Sequence, residues 1–145
     1  MKRFLLPVLA ALALTLGSCE KEPIDCGCTP PPREPVTAAS LTRTSTWYLS
    51  EYTAANQTTR ADAIKDRFAL RFAPDGSYRR ILLSDYSETA GTWKFTDPDN
   101  RQLHLIDHKG DPQNFTVEAA NAETLFLYRP DKTGMDEMYL FKTVR

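Results

Sequence analysis

The sequence predicts an all-β protein: an eight-stranded antiparallel up-and-down β-barrel over residues 40–145, after a leader (1–18) and a proline-rich tether (19–39). Three observations predict it. From residue 40 onward, apolar and polar residues alternate in short runs, the period of a strand with one buried face. Turn chemistry interrupts those runs about every ten residues, the spacing of a sandwich or barrel. No amphipathic stretch of about ten residues competes as a helix. Strands joined in sequence by short hairpins lose their exposed edges when the sheet closes on itself.

The leader comes first. Lys2 and Arg3 make a basic start, residues 4–16 are an apolar run too short to span a bilayer permanently, and Gly17 and Ser18 precede Cys19. Leu16-Gly17-Ser18-Cys19 resembles the lipobox of bacterial lipoproteins. The resemblance implies removal of residues 1–18 and lipidation of the Cys19 thiol by acyl chains such as palmitate. Several acyl chains anchor a protein stably, so the expected partner at this end is a membrane.

The tether follows. Five of the ten prolines fall in residues 19–39, at 23, 30, 31, 32 and 35. Prolines fix φ and remove donors, which favours extended polyproline geometry and no core. Glu20-Lys21-Glu22 resembles the export signal that sends some Gram-negative lipoproteins to the outer face of the outer membrane. The expected location is therefore the outer membrane, lipid-anchored, periplasmic or surface-exposed, with the lean to the surface. Cys26-Gly27-Cys28 lies in this stretch, where an oxidising compartment favours a disulfide of some kind. A lone C-x-C lacks the second ligand pair of a zinc site.

The strands come next. Residues 46–53 (TWYLSEYT) are the first, rich in aromatic and β-branched residues. A polar interval, 54–66, has room for a helical turn around ADAIK. Residues 67–73 (RFALRFA) put Phe68, Leu70 and Phe72 on one face. Pro74-Asp75-Gly76 turns the chain, proline setting the first φ and glycine accepting a positive one. Residues 78–83 return as the partner strand. Further strands are expected at 91–95, 102–107, 114–119, 123–129 and 135–144, separated by Asp97-Pro98-Asp99-Asn100, Lys109-Gly110-Asp111-Pro112, Ala120-Asn121 and 130–134.

The order of these segments carries a family resemblance. Ser45-Thr46-Trp47, the hairpin of residues 68–78, Ala90-Gly91-Thr92-Trp93-Lys94-Phe95, Leu103-His104-Leu105 and Thr124-Leu125-Phe126-Leu127 resemble the lipocalin-like domains of bacterial lipoproteins. In that family strand one opens with Gly-x-Trp; here Ser45 stands at the glycine position, and Gly91-Thr92-Trp93 carries the triplet on another strand. The resemblance implies a calyx holding a small hydrophobic ligand. Its interior candidates are Trp47, Phe68, Leu70, Phe72, Trp93, Phe95 and Phe115. Leu49, Leu103, Leu105, Val117, Phe126, Leu140 and Val144 are expected beside them as core. It also implies that Trp47 closes the barrel base under a late-strand arginine, Arg129 or Arg145, by cation–π stacking.

Charge and chemistry narrow the function. Lys plus Arg number 18 and Asp plus Glu 19, a formal charge of −1, which argues against a nucleic-acid partner. The densest polar cluster is His104, Asp107, His108 and Asp111. Strand alternation turns His104 outward, opposite Leu103 and Leu105, while His108 falls in a turn, so no metal role is expected. Ser84-Asp85 has no histidine beside it and no nucleophile elbow, and the glycines are scattered singly. Asp136-Glu137 reads as solvated edge charge. No enzyme and no cofactor are expected. The main alternative to a ligand carrier is a surface module with a filled barrel. It would bind a protein or glycan through outer aromatics such as Tyr48, Tyr52, Tyr86 or Tyr128.

Overall fold

The computed structural model describes residues 33–145. The leader 1–18, Cys19, and Cys26 and Cys28 lie outside the described residues. A short helix, α1 (Ala38–Thr42), is followed by β1 (Trp47–Ala54), β2 (Gln57–Arg60) and a single 3-10 turn at Ala61–Ala63. Then come β3 (Phe68–Phe72), β4 (Ser77–Leu82), β5 (Glu88–Phe95), β6 (Gln102–Ile106), β7 (Pro112–Ala120), β8 (Thr124–Pro130) and β9 (Asp136–Lys142).

Every pairing is antiparallel, and β3 to β9 pair with their sequence neighbours. β1 pairs with β9 and so closes the sheet into an eight-stranded barrel. β2 stands outside it. It folds back on the second half of β1, from Glu51↔Arg60 to Ala54↔Gln57, while β3 takes the same edge nearer the start, at Trp47↔Leu70 and Tyr48↔Ala69. The polar interval thus holds an extra strand as well as the expected helical turn.

Two bulges phase the strands. The register shifts between Leu49 and Glu51 and again between Val117 and Ala119. An extra residue reverses the faces beyond it. On β1, Trp47 and Leu49 face inward, and past the bulge Tyr52 does, packed against the core opposite Tyr139.

One end of the barrel is plugged. At the end that carries the β3–β4, β5–β6 and β7–β8 turns, Val36 and Leu41 join Trp47 and Phe141 in the core, with Leu41 and Trp47 fully buried. Thr37 and Ser40 cap α1 reciprocally: the Ser40 amide donates to Thr37 Oγ1 (3.1 Å) and the Thr37 amide to Ser40 Oγ (3.2 Å). The Trp47 indole N–H donates to the Leu41 carbonyl (2.8 Å). Arg101 ties the incoming chain to the barrel, donating to the carbonyls of Glu34 (2.7 Å), Val117 (3.1 Å) and Glu118 (2.7 Å). Asn100 Nδ2 donates to the Val36 carbonyl (3.1 Å). The tether expected to run through residue 39 therefore gives way to docked chain by Glu34.

Two expectations are corrected here. Neither Arg129 nor Arg145 stacks on Trp47: Arg129 lies over Phe115 and Tyr139, and Arg145 over Tyr86. On the last two strands the inward face is also the opposite of the expected one. Leu125 and Leu127 of β8 and Tyr139 and Phe141 of β9 are buried, while Phe126 and Leu140 are half-buried on the outer side and Val144 is 78% exposed.

Gly91 fixes how closely β4, β5 and β6 approach. It pairs with Tyr78, whose ring lies across it. A Cβ there would overlap the Ile106 carbonyl oxygen and the Tyr78 ring. Backbone on one side and a buried ring on the other leave no room to yield. Gly91→Ala is expected to cost about 2–3 kcal/mol of stability, seen as a lower urea midpoint with an unchanged m-value.

Candidate functional site

The inward side chains fill the plugged end and leave space at the other. Phe72, Trp93 and Phe95 pack edge to face in the filled half, at centroid distances of 5.6 Å and 5.8 Å, and the Trp93 indole N–H donates to the Ala73 carbonyl (3.0 Å). Toward the end that carries the β4–β5, β6–β7 and β8–β9 turns lies a cavity of about 280 Å³. Leu70, Leu105, Leu127 and Phe141 line it with Phe68 and Phe115, and Tyr78, Arg80, Thr89, Asp107, His108, Gln113, Arg129 and Tyr139 supply its polar groups.

Of the interior candidates read from the sequence, Phe68, Leu70 and Phe115 line this cavity. Trp47, Phe72, Trp93 and Phe95 belong instead to the packed interior. Both aromatic walls carry a guanidinium. Arg80 Cζ lies 4.3 Å from the Phe68 centroid, and Arg129 Cζ lies 5.2 Å from that of Phe115 and 5.7 Å from that of Tyr139. Such stacking holds a long cation in one place.

Glu137 organises one side of the cavity. Its carboxylate accepts from Tyr52 Oη (3.0 Å), Tyr139 Oη (2.7 Å) and Arg129 Nε (2.8 Å). Burial works against its ionisation, but the donors outweigh burial and hold the carboxyl below its ordinary range. Tyr139 moves the other way: burial, then the hydrogen bond it gives to Glu137, pushes its phenol up. The expectation that Glu137 is solvated edge charge is thus corrected, since its side chain is only 19% exposed. Its neighbour Asp136 is exposed, as a strand requires.

The histidine cluster divides between two faces. His104 lies on the outer side, its Nδ1 2.6 Å from Asn114 Oδ1. Asp107 Oδ1 accepts from the amides of Lys109 (2.8 Å) and Asp111 (2.9 Å) in its own turn, and His108 borders the cavity. Among the described residues no three His, Cys, Asp or Glu side chains gather as a metal site would require.

The outer aromatics are likewise dispersed. Tyr52 faces inward, Tyr48 packs on a small outer cluster of Ala69, Ile81 and Leu83, and Tyr128 is half-buried. Tyr86 is 62% exposed and accepts from Arg145 Nη1 (2.7 Å).

The sequence contained the signal for Tyr78 and Arg80. Once the Pro74-Asp75-Gly76 turn pairs Phe72 with Tyr78 and Leu70 with Arg80, an inward Leu70 requires an inward Arg80. Tyr52 and the Arg129–Glu137–Tyr139 group needed the bulge and the phase of the last strands. Compared with known protein families and with characterised proteins, the sequence matches none.

Glu137→Gln leaves the guanidinium and two phenols facing a neutral amide, and about 2 kcal/mol of stability is expected to go at neutral pH. Because the folded carboxyl titrates below its unfolded value, the wild-type advantage is full above the ordinary carboxyl range. It shrinks as pH falls toward the folded value. Paired urea titrations of the two proteins from pH 7 to about pH 3 measure this convergence.

Proposed function

We propose that this chain is a lipid-anchored, non-catalytic binding protein that takes a small, largely hydrophobic ligand into its barrel. One observation carries the reading: the interior is plugged at one end and hollow at the other, with six apolar side chains and eight polar or polar-tipped ones around the hollow. Ligand sites combine apolar walls with polar groups that fix orientation, and an eight-stranded barrel has room for one small molecule. The filled-barrel alternative requires an interior packed throughout and a gathered patch of outer aromatics, and neither condition is met at Tyr52 or Tyr128.

The proposal includes kinship with the lipocalin-like domains of bacterial lipoproteins, on the order of the strands and the first-strand Trp47. It includes lipid on Cys19, attachment to the outer membrane and a surface-facing domain, on the leader and the acidic start of the tether. The absence of catalysis is supported by the state of a carboxylate just behind the cavity wall. Glu137 is held ionised by three donors, an arrangement that suits positioning better than proton transfer.

Residues Arg33–Arg145 form one compact unit with its own core, so residues 20–145 are suited to purification without lipid or detergent. Native mass spectrometry of that protein is expected to show a stoichiometric bound mass, or one-to-one uptake from a panel of small apolar compounds. Leu127→Trp fills the cavity and is expected to abolish uptake while costing about 1–3 kcal/mol of stability. A clean mass with no uptake by the wild type overturns the carrier reading. In the full chain, Cys19→Ala is expected to prevent acylation, read as loss of labelling by a palmitate analogue and loss of detergent-phase partitioning.

A further inference from the structure

The hydrogen-bonding capacity around the cavity is unevenly spent. Glu137, behind the cavity wall, takes three donors, and Asp107, which lines the cavity, has its Oδ1 taken by two amides of its own turn. Arg129 gives its Nε to Glu137, 2.8 Å away. Arg80 has no hydrogen bond and no ion pair among the described residues, yet its guanidinium is held over Phe68. Tyr78 is 5% exposed, its ring is pinned across Gly91, and its hydroxyl has no hydrogen-bond partner among the described residues. Both residues come from β4, two positions apart, Tyr78 buried and Arg80 exposed where it borders the cavity. No buried side-chain nitrogen or oxygen among the described residues lacks a partner, so the Tyr78 hydroxyl, which has none, opens onto the cavity.

We propose that the cavity takes an amphiphile bearing one carboxylate, its head group held by the Arg80 guanidinium and the Tyr78 hydroxyl and its chain lying among Leu70, Leu105 and Leu127. This rests on the reading of the cavity as a ligand site and adds the class of ligand and the residues that select it. Stacking on Phe68 leaves the in-plane N–H groups of Arg80 free to donate, and a guanidinium fork matches a carboxylate with two parallel bonds. The Tyr78 hydroxyl adds a third donor. Arg129, which spends only its Nε on Glu137, adds a second guanidinium to the lining. A cationic head group would meet two guanidiniums in the lining against one carboxylate, Asp107, whose Oδ1 is already taken by its own turn. A neutral alcohol would reach the same chain site but leave the Arg80 fork unmatched.

The test compares decanoate, 1-decanol and decylamine by isothermal titration on residues 20–145, as wild type, Arg80→Gln and Tyr78→Phe. Decanoate is expected to bind the wild type at least about tenfold more tightly than 1-decanol, the scale of one charge-assisted hydrogen bond, with decylamine weakest. Arg80→Gln is expected to weaken decanoate about tenfold or more while leaving 1-decanol within about twofold. Tyr78→Phe keeps the ring over Gly91 and is expected to weaken decanoate about threefold or more, so the assignment does not depend on a single variant. If 1-decanol binds as tightly as decanoate, or if both variants retain wild-type decanoate affinity, the head-group assignment is overturned and the carrier reading stands. If none of the three compounds binds the wild type, both fail together.

Discussion

Strand β1 has two edges and three neighbours, and the barrel depends on how it divides them. One edge goes wholly to β9, which turns a sheet into a closed surface with no exposed backbone ladder among the eight barrel strands. The other goes to β3 for two residues and then to β2 for four. Closure forces one face of every strand inward, and the interior must then be either filled or lined. Fully buried Trp47 and Leu41 fill it where the chain enters, with Phe141 almost as deep. Beyond the β1 bulge the inward rings, Tyr139 and Phe115 among them, line the interior without filling it, and the space left is the cavity.

The two halves of the interior are stabilised by different physics. The plugged half is aromatic packing with each indole N–H given to a backbone carbonyl, a dry arrangement that tolerates little change in volume. The hollow half is held by charge: Arg129 and Glu137 attract one another at 2.8 Å, and two phenols complete the carboxylate's coordination. Partly buried ions are tolerable only when so fully partnered. Arg129 and Tyr139 of that group line the cavity, and Arg80 with Tyr78 keeps spare donors there.

How much of this was legible followed the strength of local signals. The hairpin of β3 and β4 was readable to within one residue at each bound, because Pro74-Asp75-Gly76 fixes the turn and the Phe68, Leu70, Phe72 alternation fixes the face. From it Arg80 could have been assigned inward. β8 was not readable in the same way: Leu125, Phe126 and Leu127 are apolar on both faces, so the period gives no phase, and the choice of Phe126 over its neighbours went the wrong way. β9 inherited that error, since Leu140 and Phe141 offer the same ambiguity. Tyr52 was lost to a single extra residue at the β1 bulge, which no local pattern marks. β2 is four polar residues that pair without burying anything, and an alternation rule has nothing there to detect.

The closure of β1 on β9 also bears on how the chain is made. The first strand of the barrel to be synthesised takes as its main partner the last, some ninety positions later, so the longest-range pairing completes the fold. Until β9 is available, the growing meander carries an apolar inner face and two unpaired ladders, a state prone to association with other chains. Loss of the final strand would therefore do more than shorten the protein. It would leave a curved open sheet with a hydrophobic hollow, and C-terminal truncations should be recovered as aggregates rather than as smaller barrels.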